Sequence, residues 1–169
     1  MKWAAAISTL TILGVAACVH AGMVPGIIGS VVKPMYVAAD PGVDAAELEA
    51  GVCMWNDAAP IDLFEMHPEM WDDCRDGGCL GVVTVYRAQL APGTRAVAVL
   101  WAPRGEVLTC EIVADDAWPD AGYVYAHELG HCLGLYHSPS SADIMHTPVQ
   151  PHGRVRASDI DCVLHGCAE

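Results

Sequence analysis

Positive charge is the scarcest resource of this chain: eight Lys and Arg stand against 21 Asp and Glu, a formal net charge of −13 at pH 7. Nucleic acid, which needs a basic face, is excluded as a partner on that ground. So is adsorption to an anionic membrane surface. Internal repeats and low-complexity tracts are absent. So is any apolar run of the roughly 20 residues needed to span a bilayer. The chain therefore meets a membrane only if a lipid anchor takes it there. With 53% hydrophobic and 17% charged residues, its 169 positions suit one packed domain rather than a disordered segment. A monomer acting on other molecules is expected.

The apolar run that does exist is short and N-terminal. Met1-Lys2 is a minimal basic start, and Trp3 to Ala17 is Ala-rich and apolar, which reads as a secretory signal occupying residues 1–21. Two endings stand side by side. Val15-Ala16-Ala17-Cys18 resembles a lipobox, with Cys18 as the lipidation residue, and its place directly after two alanines favours that reading. Val19-His20-Ala21 is a passable site for ordinary cleavage after Ala21. Either way the product is exported: secreted, periplasmic or lipid-anchored at the cell envelope. Residues 22–33 form a Gly-rich apolar spacer, and the folded domain is expected over 34–169.

Either cleavage leaves seven cysteines in the folded part: Cys53, Cys74, Cys79, Cys110, Cys132, Cys162 and Cys167. In a small exported domain they read as disulfides before metal ligands. The odd number leaves at least one thiol free or paired between chains. Cys74 and Cys79 bracket a short Gly-rich turn and could close a small loop; their spacing is not that of a tight CxxC zinc knuckle. Connectivity stays open.

Along the domain, Pro34 to Ala39, Ile61 to Met66, Leu80 to Arg87, Ala96 to Trp101 and Glu106 to Ala114 have strand character, with Val82, Val83, Val85 and Tyr86 the clearest case. Asp44 to Trp55 reads as a helix whose Leu48, Val52 and Trp55 share one face. His67 to Cys79 is acidic and irregular, suggesting a surface loop. Tyr123 to His137 contains no proline and reads as a long helical segment. A Ser- and Pro-rich loop follows to Arg156, then a short helix from about Ser158, a plausible N-cap, to His165. The layout is α+β, mixed α/β in one domain.

The chemistry concentrates in His127-Glu128-Leu129-Gly130-His131-Cys132-Leu133-Gly134-Leu135-Tyr136-His137. Helical residues four apart lie one turn above each other, so His127 and His131 can share a metal. Glu128 is rotated about 100° from His127, beside the open side of that metal. Gly134 can take a positive φ and end the helix, letting His137 return to the same ion. Three neutral imidazoles and a water make a tetrahedral zinc site of the catalytic kind. With this composition a chance match of the five positions is on the order of one in ten thousand, so a satisfied core histidine does not account for the pattern.

These residues resemble the signature of the metzincin clan of zinc endopeptidases, HExxHxxGxxH followed by a Met-turn. Ile144-Met145-His146 then looks like the Met-turn, with Met145 as an apolar floor beneath the zinc. The closest similarity is to matrixins and their small bacterial relatives, on three further stretches. These are Trp55 to Phe64, Ser138 after the third His, and Arg156 to Leu164. The resemblance implies a metzincin-type zincin domain: a twisted, mostly parallel five-stranded sheet, three helices, and an edge strand at Arg95 to Leu100 that pairs with an extended protein or peptide substrate. It implies peptide-bond hydrolysis with Glu128 as general base. The chain departs from the family in three ways. No PRCGxPD-type propeptide is present, so Cys18 is not read as an inhibitory ligand. Ala88 to Arg95 is too short for a second, structural zinc, and calcium has no support in the sequence. Thr147 stands where some metzincins have a tyrosine ligand. Two other readings remain: a catalytically silent zinc-binding interaction module, which would not need Glu128, and a zinc hydrolase of a non-peptide amide.

Overall fold

Valine makes the centre of the sheet. In the computed structural model, which describes residues 34–76, 79–101 and 109–166, strand β3 (Val82–Ala88) has Val82, Val83, Thr84 and Val85 buried in succession. A continuously buried run of this kind belongs to a strand covered on both faces, as parallel strands are. It lies between β1 (Met35–Ala39) and β5 (Thr109–Asp115), parallel to both, with Val83 opposite Val37 on one side and Cys110 on the other. β2 (Phe64–Met66) adds to β1 in parallel. β4 (Ala96–Trp101) pairs antiparallel with β5. The order is β2-β1-β3-β5-β4, so the sheet is five-stranded and mostly parallel, with β4 as the edge expected for it. The leader, Cys18, the spacer and Cys167 lie outside the described residues.

Helix α1 (Ala45–Asn56) begins where Asp44 accepts hydrogen bonds from the N–H groups of Ala46 and Glu47 at 3.0 and 3.3 Å. Its Leu48, Gly51, Val52 and Trp55 are buried. The strand expected from Ile61 starts only at Phe64. The Asn56 side-chain amide accounts for this: it accepts from Leu63 N–H at 2.9 Å and Phe64 N–H at 3.1 Å and donates to Phe64 O at 2.9 Å. The N–H groups of Leu63 and Phe64 are thus tied to the end of α1, while the Leu63 carbonyl accepts from Met35 N–H of β1 at 2.9 Å.

Among the described residues there are four α-helices, not three. Inside the acidic stretch expected to be a loop, a 3-10 turn (Pro68–Met70) runs into the four-residue α2 (Trp71–Cys74). Trp71 and Cys74, three apart, turn inward, and Cys74 packs with Ala38 and Val82 in a second small core. Asp72 and Asp73 sit in the first turn, where a helix favours negative charge. Cys74 and Cys79 are disulfide-bonded, as their spacing allowed. The last helix, α4 (Ala157–His165), is capped at Arg156 and not at Ser158: the Asp159 carboxylate accepts from the Arg156 backbone N–H at 3.0 Å. Cys162 is also disulfide-bonded. Cys53, exposed on α1, is the free thiol among the described residues.

Candidate metal centre

The helix that carries the motif, α3 (Gly122–Cys132), has no side-chain cap of its own, since Ala121 precedes it. Its first N–H is satisfied from another element: Glu47 of α1 accepts from Gly122 N–H at 2.6 Å. That also sets a carboxylate against the positive end of the helix. One turn on, the buried Trp55 indole donates to Ala126 O at 2.7 Å. Two glycines allow such closeness. A Cβ on Gly51 would lie 2.9 Å from both Ala126 N and Gly122 O. At its other end α3 is fastened to β5 by the Cys110–Cys132 disulfide. Sheet, first helix and disulfide thus hold α3 on three sides before any ligand is considered.

α3 stops earlier than the helical segment expected over 123–137. Gly134 takes φ 84°. Its N–H donates to His131 O at 2.8 Å, and Leu135 N–H donates to Gly130 O at 3.0 Å. This pair of bonds is the Schellman arrangement, which needs a left-handed residue where Gly134 stands. The reversal carries His137 back beside the helix.

Three imidazoles converge as a result. His131 Nε2 lies 3.2 Å from His127 Nε2 and 3.1 Å from His137 Nε2. On His127 the other nitrogen, Nδ1, meets Ile144 O at 2.7 Å; on His131 it meets Leu135 O at 2.8 Å. A carbonyl can only accept, so both Nδ1 atoms carry the proton and both Nε2 atoms present lone pairs to each other. Burial pushes His127 down to about 4 and His131 to about 3, against the weaker pull of those carbonyls, and lowers His137 as well. The rings therefore resist filling the gap with protons. Lone pairs facing each other at 3.1–3.2 Å fit one small cation between them. Tetrahedral zinc at about 2.05 Å from each nitrogen asks for about 3.3 Å between nitrogens. Among the described residues, His127, His131 and His137 are the one group of three side chains whose ligand atoms meet in this way, all within 4.8 Å.

Glu128 and Met145, the other expected residues, both lie in the buried interior around α3. Glu128 is buried on α3, and burial pushes its carboxyl up to about 8, with the Ala98 backbone N–H of edge strand β4 pulling the other way. A divalent cation among the imidazoles would draw it back toward the ordinary carboxylate range. Met145 is 1% exposed and sits in the core with Ile144. A Cβ on Gly130 would fall 2.2 Å from the Met145 sulfur and 2.7 Å from the Trp55 ring, so the bare backbone there is what lets Met145 approach the helix. Several supports are not written in the motif. The Glu47 cap, the Trp55 bond and the Cys110–Cys132 link join residues 22 to 75 positions apart and leave no local signal.

A mostly parallel sheet thus backs a helix whose two histidines meet a third from the following loop in a group able to hold a metal ion. Residues 85–164 match the model of the matrixin family of peptidases. That stretch takes in β4, β5, α3 and the loop to α4, so it spans the whole histidine cluster. The match relates this part of the chain to the matrixins, a family of metallopeptidases. None of the curated proteins matches the chain.

Proposed function

We propose that the protein is a zinc-dependent endopeptidase in which His127, His131 and His137 hold the metal and Glu128 is the general base. The observation that carries this is the set of lone pairs converging 3.1–3.2 Å apart with the opposite ring nitrogens tied to carbonyls. Zinc held there supplies Lewis acidity toward the scissile carbonyl and acidifies an attacking water. Glu128 takes the proton of that water and hands it to the leaving amine. The burial of Glu128 beside the edge strand keeps bulk water from levelling its basicity. Edge strand β4, whose outer side has no partner strand among the described residues, aligns an extended substrate by backbone pairing. Met145 is the apolar floor beneath the imidazoles, and Gly134 is the turn that delivers the third of them.

The test separates binding from chemistry. Glu128→Ala is expected to fold and keep about one zinc per chain. Its peptidase activity should fall about a hundred- to ten-thousand-fold. A zinc-loaded Glu128→Ala protein that cleaves casein at the wild-type rate refutes the mechanism. Zinc binding by wild type without cleavage of any peptide points instead to an interaction module or to a non-peptide amide. Export is part of the same proposal and rests on the leader of residues 1–21. Incorporation of labelled fatty acid that disappears in Cys18→Ser would identify a lipid anchor; equal labelling of both proteins speaks against it.

A further inference from the structure

His137 differs from the other two imidazoles in having no helix under it. It is exposed and lies five residues past the end of α3. What fixes it comes from the other direction along the chain. Ser138, its neighbour, is engaged at each polar group. The Ser138 N–H donates to Met145 O at 2.8 Å, and its carbonyl lies 3.1 Å from His146 Nδ1. Its hydroxyl donates to the Asp143 carboxylate and accepts from Ser140 N–H at 3.2 Å. Asp143 is 5% exposed and paired with the Arg156 guanidinium. Arg156 Nη2 also donates to Ser140 Oγ at 2.7 Å. The Asp143 backbone is gripped as well, with Ile144 N–H donating to Arg154 O at 2.9 Å and Arg154 N–H to Ala142 O at 3.0 Å. Arg156 in turn is the residue that opens α4. An unbroken chain of polar contacts therefore runs from the start of α4 through Arg156 and Asp143 to Ser138, the residue covalently joined to His137.

We propose that Asp143, oriented by Arg156, is a positioning residue for the third imidazole: by holding the Ser138 hydroxyl it sets where His137 sits relative to α3 and to Met145. The proposal rests on the zinc-peptidase reading above. With the guanidinium side chain 43% exposed, the ion pair itself adds little net stability. What it adds is direction, because a carboxylate gripped on one side by a guanidinium has only one orientation left in which to meet a serine hydroxyl. Outer groups that orient a metal ligand are commonly worth about ten- to a hundred-fold in metal affinity or rate.

Zinc affinity by chelator competition, the absorption spectrum of the cobalt(II)-substituted protein, kcat and KM are measured on wild type, Ser138→Ala, Ser138→Thr and Asp143→Asn. Ser138→Ala and Asp143→Asn are expected to bind zinc about ten- to a hundred-fold more weakly. Both should change the cobalt spectrum and lower kcat with KM nearly unaltered. Ser138→Thr, which keeps the hydroxyl, should stay close to wild type on every readout. Because Asp143→Asn alters a buried carboxylate and could fail to fold, Ser138→Ala, which removes one oxygen, carries the test alone if necessary. Wild-type zinc affinity and an unchanged cobalt spectrum in Ser138→Ala overturn the positioning role and leave the peptidase reading intact. Wild-type protein that takes up no zinc overturns both.

Discussion

Each helix histidine of the cluster has one nitrogen committed to a carbonyl and one left for a cation, and this has a cost when the cation is removed. Folded rings that protonate near 4 and 3 face an unfolded chain whose imidazoles protonate near 6.5, so the unfolded state binds more protons between those values. Stability conferred by the neutral rings is present above pH 6.5 and is lost as pH falls toward their folded values. Glu128 works in the opposite sense: its folded value, about 8, lies above 4.5, so its contribution is present below 4.5 and is lost as pH rises toward 8. From 4.5 to 6.5 two rings outweigh one carboxyl; above 6.5 only the carboxyl still titrates. The chelated protein should therefore be most stable near pH 6.5, as guanidinium midpoints at pH 5, 6.5 and 8 would show. Glu128→Gln should abolish the alkaline decline, and a decline that persists in that variant contradicts the assignment. The identities of these residues were legible in the sequence because a spacing of four is enforced by the helix itself. Their carbonyl partners, Ile144 O and Leu135 O, were not, since every residue has a carbonyl and only the fold chooses one.

At the scale of elements, the pairing of α1 with α3 decides whether the cluster forms. Gly51→Ala places a methyl group 2.9 Å from backbone atoms of α3, which cannot swing aside as a side chain would. The helices must part, and overpacking of this kind typically costs about 1–3 kcal/mol. An unfolding midpoint equal to wild type would show that the contact has slack. The valine run of β3 and the turn glycine Gly134 were readable, because β-branching and positive φ act locally. The elements that escaped were set by distant partners or hidden in charge. Asn56 delays β2, α2 hides within an acidic run, and Arg156 rather than Ser158 opens α4.

For the molecule as a whole, the two described disulfides divide the labour. Cys74–Cys79 pins the short α2 region, while Cys110–Cys132, 22 residues apart, ties the metal helix to the sheet. Closing a loop of that length is worth about 3 kcal/mol in chain entropy. Cys110→Ser with Cys132→Ser should therefore lower the free energy of unfolding by about that much; a loss below 1 kcal/mol would mean that packing alone secures α3. The sequence made disulfides the expected use of these cysteines, and the pairing had to await a fold that brought β5 to the end of α3.

The same bonds bear on which metal ligands the chain offers, and when. Reduced, it presents Cys74, Cys79, Cys110 and Cys132 as thiols, and thiolates bind zinc strongly, even in an unfolded chain. Cys132 is next to His131 in the chain, so a zinc ion captured by that thiol would sit beside its proper destination without occupying it. Oxidation withdraws all four sulfurs from competition and leaves His127, His131 and His137 as the one three-ligand group among the described residues. Oxidation before metallation would thus remove these four thiols as rivals for the zinc.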